Sequence, residues 1–212
     1  MNNLIKEYEE MNKALLEEPT PSKYFNDKLA SDLFYKEYPF TLIGDLIKTE
    51  QEHKHHPEGN VWNHTMLVID QCAKYKQYSQ EPRVFMWAGL LHDLGKATTT
   101  KVRKGRITSY DHDKASKVLS KQFLMEFKEE KVFVDKVSSL VRWHMQILYV
   151  LKSLPFAEVE NMLSDVDIEE IALLSLCDRL GRGELTESKI KMEKQDIVKF
   201  KTYCKSLYFH DK

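Results

Sequence analysis

The residues best suited to chemistry in this sequence are a histidine and an aspartate side by side, His92 and Asp93. They follow a run of hydrophobic or small residues at 85–91, and Lys96 lies just beyond them. A neutral imidazole and a carboxylate are costly to bury in an apolar segment unless something pairs with them. We therefore predict that a divalent metal ion pairs with His92 and Asp93, and that other parts of the chain supply its remaining ligands.

Two further residues lie in similar surroundings, His64 within a helical stretch and Asp178 at the end of an apolar helix. Two imidazoles and two carboxylates suit manganese, iron, nickel, cobalt, zinc or magnesium and leave positions open for water. An ion bound in this way makes its water more acidic and polarises a phosphoryl oxygen. Spacing alone leaves an alternative open, in which each of these residues is buried and satisfied by ordinary hydrogen bonds.

Three more residues have alternative interpretations. His112 and His144 can hold a second ion with Asp93 as the bridge, can transfer protons, or can simply pack between helices. Lys96 lies one turn past Asp93, where its cation can meet a phosphate oxygen or complement the carboxyl end of a helix.

Composition favours one soluble, helix-rich domain. The 212 residues are 42% hydrophobic and 31% charged, with 7 glycines and 6 prolines. The net charge of −1 excludes a global field that attracts nucleic acid or an anionic membrane. There is no signal-peptide pattern at the start and no apolar run of membrane-spanning length. Three scattered cysteines predict neither a disulfide framework nor a thiolate zinc site, and a cytoplasmic location is expected.

Hydrophobic periodicity predicts about eight or nine helices. They are expected over residues 3–18, from Ser22 to about 34, 39–47, 61–78, 82–95, 112–128, 132–145, 167–179 and 187–210, with a short segment at 151–163 that is entered through Pro155. Gly95 is expected to end one helix in a left-handed conformation. Asp111 is expected to cap the helix that follows, whose inward face includes Val118.

Residues 97–110 differ from the rest because alternating Thr and Val residues surround Lys104-Gly105, which predicts a short β-hairpin. The stretch is also basic, with Lys101, Arg103 and Arg106 beside Lys104. It is either a solvated turn or a flap that attracts anions to the site.

Six segments together resemble one family. They are PSKYF (21–25), HPEGNVWNHTMLVID (56–70), LLHDLGKATTT (90–100), GRITSYDH (105–112), LVRWHM (140–145) and LCDRLGRG (176–183). They resemble the HD domain that follows the polymerase head in bacterial tRNA nucleotidyltransferases, within the HD-domain superfamily of metal-dependent phosphohydrolases. The similarity covers roughly residues 14–185. No Gly-Ser followed by paired aspartates is present, so nucleotide addition is not expected of these residues.

The resemblance implies His64, His92, Asp93 and Asp178 as primary metal ligands and Lys96 as a residue that contacts phosphate. It implies that His112 and His144 hold a second ion in members with two metals. Whether one ion or two bind here stays open. Arg142 and Arg182 are candidates to contact substrate phosphate, or else form surface ion pairs, and His56 is a candidate at the mouth of the site.

The predicted fold is an all-α HD-domain helical bundle with a short β-hairpin insert. The expected organisation is N-terminal helices at 1–50, an HD phosphohydrolase domain at 51–185 and a C-terminal helix at 186–212, packed as one unit. The favoured function is hydrolysis of a phosphomonoester or phosphodiester of a nucleotide or RNA end by metal-activated water, with Asp93 and Lys96 as catalytic residues. The expected partners are a small nucleotide or phosphate-ester substrate, with RNA as a further candidate and no membrane, and the oligomeric state is open. The alternatives are a non-catalytic module that binds nucleotide or tRNA, and a subunit of a nucleotidyltransferase complex.

Overall fold

The computed structural model describes residues 2–210, which form an all-α fold with one two-stranded β-hairpin. The sequence-based prediction of the fold class is confirmed. Thirteen α-helices are present within the described residues: α1 (Asn2–Glu17), α2 (Ser22–Asp27), α3 (Leu33–Lys36), α4 (Thr41–Gly44), α5 (Val61–Tyr75), α6 (Pro82–Leu91), α7 (Lys96–Thr99), α8 (His112–Glu126), α9 (Lys131–Trp143), α10 (Gln146–Leu151), α11 (Val159–Asp165), α12 (Ile168–Leu180) and α13 (Glu187–His210). Over the same residues, no helix is long and apolar enough to cross a membrane.

The helices outnumber the predicted eight or nine because several predicted helices are divided into short pieces. The helix expected to start at Ser22 breaks at Ser31, whose backbone is extended with φ −91° and ψ 161°. The Ser31 hydroxyl donates to the carbonyl of Lys28 at 2.6 Å and accepts from the amide of Leu33 at 3.4 Å. A serine side chain that bonds its own backbone in this way competes with helix hydrogen bonds, so α2 and α3 are separate.

Helix α6 lies at the centre of the fold. Every residue from Val84 to Leu91 is buried, and the helix packs against α1, α5, α9 and α12. Pro82 occupies its first turn, as predicted, where a missing N–H costs nothing. A helix that is apolar on all sides can be stable only inside a core, so the end of α6 delivers His92 and Asp93 to the interior.

Helix α8 differs from its prediction at two residues. Asp111 has a left-handed backbone with φ 58° and makes no side-chain capping bond, because its carboxylate pairs with Lys114 at 2.8 Å. The predicted cap is therefore wrong. Val118, predicted to face inward, is 55% exposed, while Phe123 and Leu124 on the same helix are fully buried.

The predicted hairpin is present, with strands β1 (Lys101–Arg103) and β2 (Arg106–Thr108) paired antiparallel and Lys101 opposite Thr108. Lys104 and Gly105 both have positive φ, 51° and 74°, which suits the tight turn of a two-residue hairpin. The hairpin is shorter than the predicted 97–110 stretch, because residues 96–99 form α7.

Candidate metal centre

Six side chains from five parts of the chain meet at one buried point. They are His64 on α5, His92 and Asp93 at the end of α6, His112 at the start of α8, His144 directly after α9, and Asp178 on α12. Each of the six residues is at most 6% exposed. The structure thus brings together all the predicted ligands of the first ion and both candidates for a second, and their roles as ligands stay a prediction.

The four histidines are oriented alike. In each ring, Nδ1 lies within hydrogen-bond distance of a backbone carbonyl oxygen: Gly181 at 3.1 Å for His64, Gly89 at 2.8 Å for His92, Ser109 at 2.7 Å for His112 and Val141 at 2.7 Å for His144. A carbonyl can only accept, so Nδ1 carries the proton and donates, which leaves a lone pair on Nε2 when the ring is neutral. Fixing one ring nitrogen on a backbone carbonyl is how proteins orient a histidine that binds metal through the other.

The Nε2 atoms converge on the two carboxylates. His64 Nε2 lies 3.1 Å from Asp178 Oδ1 and 3.8 Å from Asp93 Oδ2, and His92 Nε2 lies 3.2 Å from Asp93 Oδ2. On the other side of Asp93, Oδ1 lies 3.4 Å from His112 Nε2 and 3.7 Å from His144 Nε2.

The arrangement of these atoms suits a divalent cation bound among them better than direct contacts between them. Both oxygens of Asp93 and Nε2 of His92 are buried without a hydrogen bond of good geometry. The Nε2 atoms of His112 and His144 are only 3.2 Å apart, and two lone pairs at that distance repel unless a proton or a cation lies between them. Burying such groups without a well-formed hydrogen bond costs about 1–3 kcal/mol each, which a bound ion would offset.

The ligand atoms form two groups that share Asp93. His64, His92 and Asp93 are one group and Asp93, His112 and His144 are the other, and within each group the candidate ligand atoms lie within 4.8 Å of one another. Asp178 adjoins the first group through His64. The arrangement can accommodate one ion or two, with Asp93 between them.

The protonation behaviour of these groups, in the absence of a metal, follows from burial and from their neighbours. Burial lowers the pKa of His112 to about 3 despite the nearby Asp93 carboxylate. Burial also acts to lower the pKa of His64, but hydrogen bonds with Asp178 and Glu58 outweigh it and the pKa is raised. Burial acts to raise the pKa of Asp93, yet His92 and Lys96 hold it well below its ordinary value. Asp93 is therefore a carboxylate, the form that binds a cation.

Gly95 is essential to the geometry, but for a different reason from the predicted one. It has φ −65°, a right-handed conformation, and so it is not a left-handed C-cap. A Cβ atom at Gly95 would lie 2.2 Å from the carbonyl oxygen of His112 and 2.6 Å from the amide nitrogen of Ser116. The missing side chain lets the segment after Asp93 contact the backbone of α8, which places His112 beside Asp93.

Lys96 is buried beside the carboxylates, at 8% exposure. Its Nζ lies 2.7 Å from Asp93 Oδ2 and donates to Gln51 Oε1 at 2.7 Å. Gln51 was not predicted as a site residue, because in the sequence it is one polar residue in a loop. It holds the Lys96 ammonium at the floor of the site.

Glu58 was also missed, although it lies between two histidines that were considered. Its Oε1 is 2.8 Å from His56 Nδ1 and 3.0 Å from His64 Nδ1, and its side chain is only 3% exposed. Burial acts to raise the pKa of Glu58, but these two contacts lower it to about 2. Burial lowers the pKa of His56 to about 4 despite that bond. The feature of the sequence that could have identified Glu58 is its position in the loop that leads into the helix of His64.

The two arginines predicted to contact phosphate have different surroundings. Arg142 is 7% exposed and pairs with both Asp113 and Glu158, so its charge is already engaged within the protein. The side chain of Arg182 is 33% exposed, 3.5 Å from Asp178 Oδ2, and its Nε atom is buried without a partner. Arg182 therefore has more capacity to bind a substrate than Arg142.

The candidate centre opens into a cavity of about 900 Å³. Asp93, Lys96, His112, His144 and Asp178 are at its surface. The cavity lining also includes an apolar group, which comprises Met145, Leu148, Tyr149, Leu154, Pro155 and Phe156. A cavity that combines a lysine and candidate metal ligands with apolar side chains can hold a phosphate ester whose other part is aromatic or apolar.

The fold and this buried histidine and aspartate cluster define a class of all-α proteins with a candidate metal site, and comparison with known sequences identifies the family. The model for the HD domain matches residues 61–183, more than half of the chain. The chain therefore belongs to the HD domain family, whose members typically are metal-dependent hydrolases and bind divalent metals.

Among curated proteins, the chain is similar to multifunctional CCA proteins. The protein from Pasteurella multocida is 26% identical over 211 residues, covering 89% of this chain and 49% of the relative. The protein from Halorhodospira halophila is 27% identical over 183 residues, covering 83% and 42%. The protein from Actinobacillus pleuropneumoniae serotype 5b is 41% identical over 62 residues, covering 29% and 15%. The resemblance inferred from the sequence is thus confirmed, and the chain spans about half or less of the length of these relatives.

Proposed function

We propose that the protein is a metal-dependent phosphohydrolase that cleaves a phosphomonoester or phosphodiester of a nucleotide or of an RNA end. The observation that carries the proposal is the buried Asp93 carboxylate between two pairs of histidines, both of whose oxygens lack a hydrogen bond of good geometry, at the surface of a cavity large enough for a nucleotide. We also propose that residues 51–185 form the catalytic domain, with residues 1–50 and 186–212 packed on it.

Each residue at the floor has a distinct role in this proposal. His64, His92, Asp93 and Asp178 would hold the ion, which supplies an acidified water and charge neutralisation for the phosphate when bound. Lys96, fixed by Gln51, would contact a non-bridging phosphate oxygen.

The remaining groups would steady the substrate and manage protons. Arg182 would contact the phosphate from the side of Asp178. His112 and His144 would either hold a second ion or transfer a proton through Nε2, since both Nδ1 atoms are bound to backbone carbonyls. Arg142 would act through its ion pairs, which tie α9 to α8 and to the residue before α11.

The test is metal analysis of the purified protein, followed by assays on phosphomonoesters and phosphodiesters of nucleotides. Asp93→Ala should abolish turnover, and Asp93→Asn should do so with less change of shape. A matched control is Asp135→Ala, because Asp135 is an aspartate on α9 whose ion-pair partners among residues 2–210 are Lys121 and Lys131, and it lies outside the cavity lining. Circular dichroism shows whether each variant is folded.

Metal-dependent turnover that is lost in both Asp93 variants and kept in the Asp135 variant would support the proposal. Bound metal without turnover of any substrate would favour a non-catalytic module that binds nucleotide or RNA. Equal turnover in the wild type and in Asp93→Ala would contradict the assignment of the site.

A further inference from the structure

The hairpin beside the cavity carries a cluster of basic side chains that the proposed hydrolysis does not use. Lys101, Lys104 and Arg106 are exposed and Arg103 is half-buried. Within residues 2–210, none of the four has a carboxylate partner within 4 Å. The whole chain has a net charge of −1, so this positive surface is local rather than part of a basic protein.

The hairpin is continuous with the cavity. Its second strand and the residues after it, Ile107 to Asp111, form part of the cavity lining. The backbone amide of Ile107 donates to Glu52 Oε2 at 3.3 Å, which ties the hairpin to the loop before α5. The hairpin therefore borders the cavity where Ile107 to Asp111 line it.

Two exposed aromatic rings lie at the cavity surface. Tyr110 is 65% exposed, and the guanidinium of Arg103 lies over its ring at 4.8 Å. Phe156 is 60% exposed and packs edge-on against Tyr149 at 5.7 Å between ring centroids. Large exposed aromatic side chains beside unpaired cations are typical of surfaces that bind single-stranded nucleic acid, in which bases stack on the rings and phosphates follow the cations.

We propose that this surface, formed by Lys101, Lys104, Arg106, Tyr110 and Phe156, binds the nucleotides next to the terminal phosphate of a single-stranded RNA. The inference rests on the proposed function and narrows it, because Lys101, Lys104 and Arg106 lie outside the cavity lining and a mononucleotide held in the cavity does not need them. RNA has both the phosphates and the bases that the surface would recognise, whereas an anionic membrane offers no base to Tyr110 or Phe156.

Binding can be measured apart from hydrolysis. The probe is a fluorescent ten-nucleotide single-stranded RNA with a 3′-phosphate, added to Asp93→Ala or to EDTA-treated wild type and followed by fluorescence anisotropy. The variant K101Q/K104Q/R106Q removes three charges from the hairpin. The control variant K128Q/K191Q/K194Q removes three exposed lysine charges outside the cavity lining.

The hairpin variant should bind the RNA at least tenfold more weakly, and the slope of log affinity against log salt should become shallower by about 2, given about 0.7 per phosphate contact on a single strand. Tyr110→Ala and Phe156→Ala should each weaken binding about tenfold without changing that slope. Hydrolysis of a mononucleotide, if present, should keep its KM in the hairpin variant.

Equal losses of RNA binding in the hairpin and control variants would overturn the proposal. So would binding of anionic lipid vesicles, but not RNA, through the hairpin. RNA binding that depends on the hairpin in a protein that hydrolyses nothing would uphold this surface and refute the proposed hydrolase. Hydrolysis without hairpin-dependent RNA binding would refute this surface and uphold the proposed hydrolase.

Discussion

Gly95→Ala is a substitution whose effect can be worked out from two opposing contributions. Gly95 has a right-handed backbone with φ −65°, and alanine at such a position normally stabilises a protein by about 0.4–1 kcal/mol. Here, however, the new Cβ would lie 2.2 Å from the His112 carbonyl oxygen and 2.6 Å from the Ser116 amide nitrogen. These are backbone atoms of α8 and cannot rotate away.

Overpacking of this kind costs about 1–3 kcal/mol. Separating the two segments would also break the bond from the Gly95 amide to the Ser116 hydroxyl, now 2.8 Å, for about 1 kcal/mol more. The steric effect therefore exceeds the conformational gain, and we expect a net loss of about 2–3 kcal/mol in the free energy of unfolding.

Urea unfolding followed by circular dichroism measures this loss. The control is Thr98→Ala, an exposed position on the same short helix α7, which should change stability by less than about 0.5 kcal/mol. A Gly95→Ala variant as stable as the wild type, or more stable, would refute the close contact between Gly95 and α8.

Glu58→Gln keeps the shape of the side chain but removes the charge beside His64 Nδ1. The affinity of the metal-free protein for Mn²⁺ should therefore fall about 10–100-fold in a calorimetric titration. An unchanged affinity would show that Glu58 has no part in holding the His64 ring. The pKa of His112 is about 3 in the folded, metal-free protein and about 6.5 when the chain is unfolded, so below pH 6.5 the folded state binds fewer protons. His112 should therefore lower the free energy of unfolding by about 1.4 kcal/mol for each pH unit below 6.5. His112→Asn should remove that contribution in urea unfolding at pH 7 and pH 5, and identical pH dependence in both proteins would disprove it. Arg142→Ala leaves Asp113 buried without its partner, and should cost about 3–5 kcal/mol of unfolding free energy; a loss below about 1 kcal/mol would mean that the pair is not structural.

The parts of the fold that follow from local rules could be predicted from the sequence. Pro82 and the apolar residues after it determine a buried helix, and Lys104-Gly105 between alternating residues determines the hairpin. Helix α13 also begins at the predicted residue Glu187 and ends at His210, because its stripe of Ile197, Phe200 and Cys204 is regular and buried.

Features that depend on contacts distant in sequence could not be predicted. The conformation of Gly95 is determined by α8, which lies about 20 residues further along the chain. The errors at Asp111 and Ser31 have a local cause instead, because each side chain bonds a residue three positions away, Lys114 or Lys28, and periodicity does not reveal such a bond.

The residues of the candidate site also fall into those that could be predicted from the sequence and those that could not. Histidines and aspartates at the ends of apolar helices are visible in the sequence because such side chains are unexpected there. Glu58 and Gln51 are ordinary loop residues in the sequence, and only the fold brings them against His64 and Lys96. Arg142 could be recognised as a charged residue near the site, but not as the partner of Asp113 and Glu158.

The measurement that tests the central claim most directly is anomalous diffraction at the zinc absorption edge from crystals soaked in Zn²⁺. We predict a peak within about 2.0–2.2 Å of His92 Nε2 and of an Asp93 oxygen, with His64 and Asp178 completing the ligand set, and no such peak in crystals of Asp93→Asn. Zinc bound only at surface histidines, with no density between His92 and Asp178, would contradict the metal centre and with it the proposed function.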